Sequence, residues 1–313
     1  MKIASILFFM AFSMFCFGQN AEVSEKNIKK NIYFLSSDKM KGRQTGSKQI
    51  EKTARFIEKQ FKKMGLQPLG NIGFRQHFTA KVKRVVVSDS LRKASNIIGF
   101  LDNGAEKTIV IGAHYDHIGF GELGNSKDDK SNIGKIHNGA DDNASGVAGL
   151  LELARVYSQN GIKEKHNILF IAFCAEELGL LGSKYFVENP TLPLQNILWM
   201  LNMDMIGRYS KENKLAVIGY GTSAEFKKVF ENVKTNLSLN LSKDGRGGSD
   251  QTSFYDKKIP VLFFHTGGHP DYHKHGDDAD KINYRDLISI LDVEISVINE
   301  TMKFSNMDFV WTN

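Results

Sequence analysis

The chain has 313 residues and only two cysteines, Cys16 and Cys174. Two cysteines build neither a disulfide scaffold nor a cysteine-based zinc finger. Any metal held here must rely on His, Asp and Glu. After residue 17 no apolar run reaches the ~20 residues that a membrane-spanning helix needs. There is no internal repeat, no low-complexity tract and no block of like charge. The net charge is +6, from 41 Lys and Arg against 35 Asp and Glu, and the lysines are scattered. Electrostatic nucleic-acid binding needs a concentrated basic footprint, so that class is set aside. With 41% hydrophobic and 24% charged residues, the composition is that of an ordinary globular protein.

At the N-terminus, Lys2 precedes an apolar run over residues 3–17, then Gly18-Gln19-Asn20. A basic start, a short apolar stretch and a small residue at its end predict a secretory signal peptide over residues 1–18, with Cys16 at −3 and Gly18 at −1. The rival is a lipoprotein signal using Cys16, but Met14 and Phe15 are bulky where small residues are wanted. The expectation is an exported chain, periplasmic or extracellular, without a stable membrane span after cleavage. Residues 19–313 would form one domain, with Cys174 as its remaining cysteine. The sequence leaves the oligomeric state open.

Apolar residues at helical spacing predict helices over 22–35 and 49–64, the second with a stripe of Phe56, Ile57, Gln60, Phe61 and Met64 and a stop at Gly65. From residue 108 the pattern changes. Apolar runs at 108–113, 167–173, 197–203, 214–219 and 260–265 read as buried strands. Helical patterns at 143–157, 178–187, 223–237 and 284–302 alternate with them. This predicts an α/β fold, a three-layer sandwich with a mostly parallel central sheet flanked by helices. Residues 119–138 are polar and Gly-rich, and read as a long loop near a site.

Polar residues gather just beyond the predicted strand ends, where open parallel sheets bind ligands. The strand at 108–113 runs into His114-Tyr115-Asp116. Two residues apart in extended chain, His114 and Asp116 share a face, so His114 is a candidate metal ligand with Asp116 fixing its tautomer. A plain strand-end polar pair would look the same. His117 breaks the alternation and reads as a loop residue. Asp141-Asp142-Asn143 precedes a helix, where Asp142 or Asn143 would serve as N-cap. A cap explains one acid, not two among small residues, whereas a carboxylate can bridge two cations. Glu176-Glu177 follows an apolar strand, and adjacent buried carboxylates repel unless a cation or proton relieves them. One Glu as ligand and the other as general base resolves the conflict. Asp204 stands among apolar residues and needs a metal or an arginine, with Arg208 the local candidate. His265, His269, His273 and His275 crowd one segment, and spacing does not choose among them.

These segments together resemble the co-catalytic dizinc aminopeptidases, a family that includes bacterial leucyl aminopeptidases and, more distantly, glutamate carboxypeptidase II. The resemblance rests on Ala113-His114-Tyr115-Asp116, the run from Gly139 to Gly146, Ala175-Glu176-Glu177-Leu178-Gly179, Asn202-Met203-Asp204-Met205, Ser249-Asp250 and Tyr272-His273, in that order. It covers roughly residues 40–300, with Gly42-Arg43 and Gly46 near the start. It implies two Zn2+ per chain, with Co2+ or Mn2+ as possible substitutes. His114 and Asp204 would hold one ion, Glu177 and His273 the other, and Asp142 both. Glu176 would be the general base and Asp116 the partner of His114. The implied substrates are peptides with a free N-terminus. Two departures stand out: Gln251 where the family often has His, and a connection over 72–98 too short for a protease-associated insert. Glutaminyl cyclases share the fold, and a non-catalytic peptide-binding domain on the same scaffold is the alternative of a different class.

Overall fold

The computed structural model describes residues 22–132 and 134–312. The expected signal peptide and Cys16 lie outside the described residues. In chain order the elements are α1 (Glu25–Leu35), α2 (Lys48–Lys63), β1 (Gln67–Pro68), β2 (Arg75–Lys81), β3 (Leu91–Leu101), β4 (Thr108–His114), α3 (Gly146–Gln159), β5 (Asn167–Phe173), α4 (Leu181–Glu188), β6 (Ile197–Met203), β7 (Leu215–Ile218), α5 (Glu225–Asn232), β8 (Leu239–Ser242), α6 (Gln251–Tyr255), β9 (Val261–His265) and α7 (Tyr284–Thr301). Among the described residues, no helix is long and apolar enough to cross a membrane.

The strands form one sheet in the order β1-β3-β5-β4-β6-β9-β7-β8, with β2 also paired to β3. Its centre, β5-β4-β6-β9, is parallel. Toward the edges β3 joins β5 and β7 joins β9 in antiparallel fashion, so the sheet is mixed overall. Every residue of β4, β5 and β6 is buried, as expected of strands covered on both faces.

Alternation along the strands sorts two cores. Ile109, Ile111 and Ala113 of β4, with Ile168, Phe170 and Ala172 of β5, face the large core shared with α1, α2, α3, α5 and α7. Val110, Leu169, Ile171 and Phe173 face a smaller core closed by Phe186 of α4 and Phe254 of α6. Helices thus cover both faces, the heavier layer on one side. At about 25 cal/mol per Å2 of apolar surface, this burial is the main source of stability. The four parallel strands all end on one edge of the sandwich, and that edge receives the polar segments.

Candidate metal centre

The central strands deliver the side chains. His114 is the last residue of β4, Glu176 and Glu177 follow β5 by three and four positions, Asp204 follows β6 directly, and His273 lies in the loop after β9. Asp142 arrives from the turn before α3. Its neighbour Asn143 anchors that turn: the Oδ1 atom accepts from the Gly146 and Met205 amides at 3.0 and 3.2 Å, and the Nδ2 atom donates to the Met203 carbonyl at 2.9 Å. The Asp277 carboxylate accepts from the Asp142 amide at 3.0 Å. Gly139 has φ +59°, and a Cβ there would collide with the Asp142 carbonyl oxygen and the His117 ring. Glycine takes this left-handed conformation without strain and leaves that space free.

Asp142 stands at the centre of the cluster, and its two oxygens face different partners. Oδ1 is 3.4 Å from His114 Nε2, which is itself 3.3 Å from Asp204 Oδ1. Oδ2 is 3.1 Å from His273 Nε2, which is 3.2 Å from Glu177 Oε1. Donors bonded at ~2.0–2.1 Å around one tetrahedral zinc stand ~3.3 Å apart. Both groups have that spacing. Two triads, His114-Asp142-Asp204 and His117-Asp142-Glu177, bring one ligand atom per residue within 4.8 Å of one another.

The remaining valences agree with a cation. His114 Nε2 and Asp204 Oδ1 are buried and make no hydrogen bond. The other nitrogens are committed: His114 Nδ1 lies 3.1 Å from the Asp116 carbonyl and His273 Nδ1 2.7 Å from the Asn125 carbonyl. An N–H donated there leaves each Nε2 lone pair free, the tautomer a metal ligand needs. The oxygen and nitrogen donor set fits zinc.

Electrostatics point the same way. Burial alone would lower His114, but Asp204, Glu176 and Asp142 raise it well above its ordinary value. His273 is likewise raised to about 11, where hydrogen bonds to Asp142 and Glu177 outweigh burial. Carboxylates that favour a proton this strongly also favour a divalent cation. The paired glutamates diverge. Burial would raise Glu177, yet hydrogen bonds from His117 and His273 hold it well below the usual range. Glu176 is pushed well above it by burial, reinforced by the charges of Glu177 and Asp204. Glu176 Oε2 is 4.0 Å from His114 Nε2, at the margin of the cluster.

The seven candidate site residues come together here, but two expectations need correction. The Asp116 carboxylate does not hold His114; the Asp116 carbonyl does, and the nearest carboxylate oxygen is 3.9 Å away. That carboxylate instead accepts from the amides of Glu176 and Glu177 at 3.1 and 3.4 Å and from Thr45 Oγ1 at 3.1 Å. Burial raises it to about 6. Arg208 pairs with Asp271 at 3.1 Å rather than with Asp204. His117 lies in the loop beyond β4, as expected, yet it belongs to the cluster. It is 1% exposed, and its Nδ1 is 3.1 Å from Glu177 Oε1.

The other histidines of the crowded segment separate. His265 bonds the Asp204 carbonyl at 2.9 Å, His269 approaches Asp141 at 3.3 Å and His275 pairs with Asp128 at 2.9 Å. Residues 249–251 are tied to β6, where Asn202 donates to Ser249 Oγ at 2.9 Å and to Gln251 Oε1 at 3.2 Å.

Similarity to known proteins agrees with this arrangement. The chain is 34% identical over 146 residues to leupeptin-inactivating enzyme 1 of Streptomyces exfoliatus, covering 46% of this chain and 32% of that protein. It is 29% identical over 207 residues to aminopeptidase YwaD of Bacillus subtilis, covering 62% and 41%. These matches span less than half the length of either relative. In fold it resembles a zinc aminopeptidase of Bacillus subtilis, with a TM-score of 0.68 at 20% identity over 90% of this chain and 96% of that one. A Porphyromonas gingivalis glutaminyl cyclase gives 0.72 at 17% identity over 90% and 100%. The profile of peptidase family M28 matches residues 96–298. That stretch runs from within β3 into α7 and contains every segment that supplies a side chain to the cluster, so the chain belongs to peptidase family M28.

Proposed function

We propose that the chain is an exported zinc-dependent exopeptidase, an aminopeptidase that removes N-terminal residues from peptides, with two ions per chain. The observation that carries this reading is Asp142, whose two carboxylate oxygens face two separate donor groups. His114 and Asp204 would hold one ion and Glu177 and His273 the other, with Asp142 shared. Zinc suits these donors, and Co2+ or Mn2+ would substitute. Bound there, such ions supply Lewis acidity that makes a nucleophile available at neutral pH and polarises a carbonyl.

The protein's own part is positional and protolytic. Glu176 belongs to neither donor group and has its Oε2 4.0 Å from His114 Nε2. It takes the proton of the attacking water and hands it to the leaving amine. Asp116 holds the backbone of Glu176 and Glu177 and so fixes where both carboxyls start. Asn125 and the Asp116 carbonyl set the tautomers of His273 and His114.

The test is a panel of aminoacyl anilides and N-terminal Gln peptides, each assayed before chelation, after it, and after metal is restored. Release of anilide that follows metal content supports the reading. Cyclisation of Gln peptides with no anilide release replaces it with a cyclase. Peptide binding without turnover replaces it with a binding domain. Residues 1–18 as signal and 19–313 as a single metallopeptidase domain belong to the same proposal. An exported protein whose mass begins at Gln19 supports both export and the cleavage site.

A further inference from the structure

The two halves of the cluster are not equivalent. Among the described residues, the triad at Asp142 Oδ1 is completed by His114 Nε2, at 3.4 Å, and by Asp204, whose Oδ1 lies 3.3 Å from the same nitrogen. Around Asp142 Oδ2 stand Glu177 Oε1, His273 Nε2 and a further imidazole, that of His117. Its Nδ1 lies 3.1 Å from Glu177 Oε1 and 3.7 Å from Asp142 Oδ2. These values bracket the ~3.3 Å edge of a tetrahedral zinc site. The His117 and His273 rings meet at 77° with centroids 5.8 Å apart, so they approach the same two oxygens from different directions. His117 differs from His114 and His273 on its other side, where its Nε2 is buried without a hydrogen-bond partner while their second nitrogens face carbonyls. The absent side chain of Gly139 is what gives the ring its place.

We propose that His117 is a metal ligand through Nδ1, giving the second ion four protein donors: His117, His273, Glu177 and Asp142. This rests on the two-ion reading above and goes beyond it by making the ions unequal. Four protein ligands close a zinc site, whereas three leave a position for water or substrate. The second ion is then held for structure. The exchangeable coordination belongs to the first, on the side where Glu176 Oε2 approaches His114. The competing role for His117 is a hydrogen-bond donor that merely orients Glu177.

The experiment is a zinc titration of the metal-free full-length chain against a chelating indicator. Wild type, His117→Ala and His117→Gln are compared after circular dichroism has shown that each apo form is folded. Glutamine still donates to Glu177 but supplies no imidazole nitrogen. Losing an outer partner costs roughly 10–100-fold in metal affinity, so losing a ligand should exceed that range. The expected result is two ions of unequal affinity in wild type. In both variants the tighter ion weakens by more than about 100-fold while the other changes little. A glutamine variant that loses less than about 100-fold overturns the proposal, as does equal weakening of both ions. Should the alanine form fail to fold, the glutamine form alone decides. A wild type that takes up one ion overturns the two-ion reading and this inference with it.

Discussion

The backbone N–H of Glu176 donates to the Asp116 carboxylate at 3.1 Å, across a sequence separation of 60 residues. The bond joins the end of β4 to the end of β5 and fixes the turn from which both glutamates project. Asp116→Ala leaves the Glu176 and Glu177 amides and Thr45 Oγ1 without their acceptor and should cost about 1–3 kcal/mol of stability. It should lower metal affinity by about 10–100-fold, the usual effect of removing an outer partner. It should also reduce kcat more than it raises KM. An alanine variant with wild-type kcat and metal content would remove Asp116 from the positioning role.

Glu176 and Glu177 are adjacent in sequence but opposite in environment, so their substitution should separate two readouts. Glu176→Gln preserves shape and removes the proton acceptor. Turnover should fall by about 10^2–10^4-fold, the range of general-base contributions, with metal content unchanged. Glu177→Gln removes a charge paired with His117 and His273, and should lower metal content measured by elemental analysis. The reverse pattern would exchange the two assignments.

These contrasts also show what the sequence could reveal. Strands β5 and β6 are legible to the residue because every position is buried and all but Asn167 and Asn202 are apolar. The β2–β3 hairpin was missed, since residues 75–81 mix charge with half-exposed positions and carry no sharp apolar pattern. The helix expected over 223–237 ends at Asn232, because the chain must turn back to lay β8 beside β7. His117 reads as a loop residue and is one, but its approach to Glu177 depends on the turn after β4, which ends at His114. The same turn keeps the Asp116 carboxylate away from the His114 ring. Acids and histidines at strand ends were readable as a site; which atom meets which depended on turns that periodicity does not encode.

Chelation should destabilise the protein as well as silence it. Asp142, Glu177 and Asp204 are held together at the cluster, and an ion that binds only the folded state adds stability by mass action. At a free zinc concentration of 100 times Kd the gain is about 2.7 kcal/mol per site. Thermal melts in EDTA should therefore show a lower Tm that returns with added zinc. A Tm indifferent to metal would argue against tight binding at this cluster.

Arg43 is fully buried and donates to four backbone carbonyls: Leu35 at 2.7 Å, Tyr115 at 3.1 Å, Asn138 at 2.7 Å and Gly139 at 2.9 Å. Burial lowers it to about 10, partly offset by Asp142 and Asp277, so it remains charged at neutral pH. It clamps the segment before Asp142 to the end of β4. Arg43→Met would leave several carbonyls unpaired and should destabilise by about 3 kcal/mol or more. Urea unfolding of the metal-free form would measure this directly. Arg43→Lys should recover only part, since an ammonium cannot reproduce the planar fork.

Glu294, in the middle of α7, gives the clearest pH dependence away from the cluster. It is buried with no hydrogen-bond partner for either oxygen, and burial pushes its carboxyl well above the usual glutamate range. A folded-state value above the unfolded one means the native protein holds the proton more tightly. This contribution is fully present below the unfolded pKa of ~4.3. It is lost as pH rises from there through the raised folded value. Glu294→Met keeps the volume, removes the ionisable group and should stabilise by about 1–3 kcal/mol near neutrality, the usual penalty for an unpaired buried polar group. The decisive quantity is the difference between variant and wild type in urea unfolding at pH 5 and pH 8. That difference should be larger at pH 8, and a gap that shrinks with rising pH would mean that Glu294 is stabilised as a carboxylate in the fold.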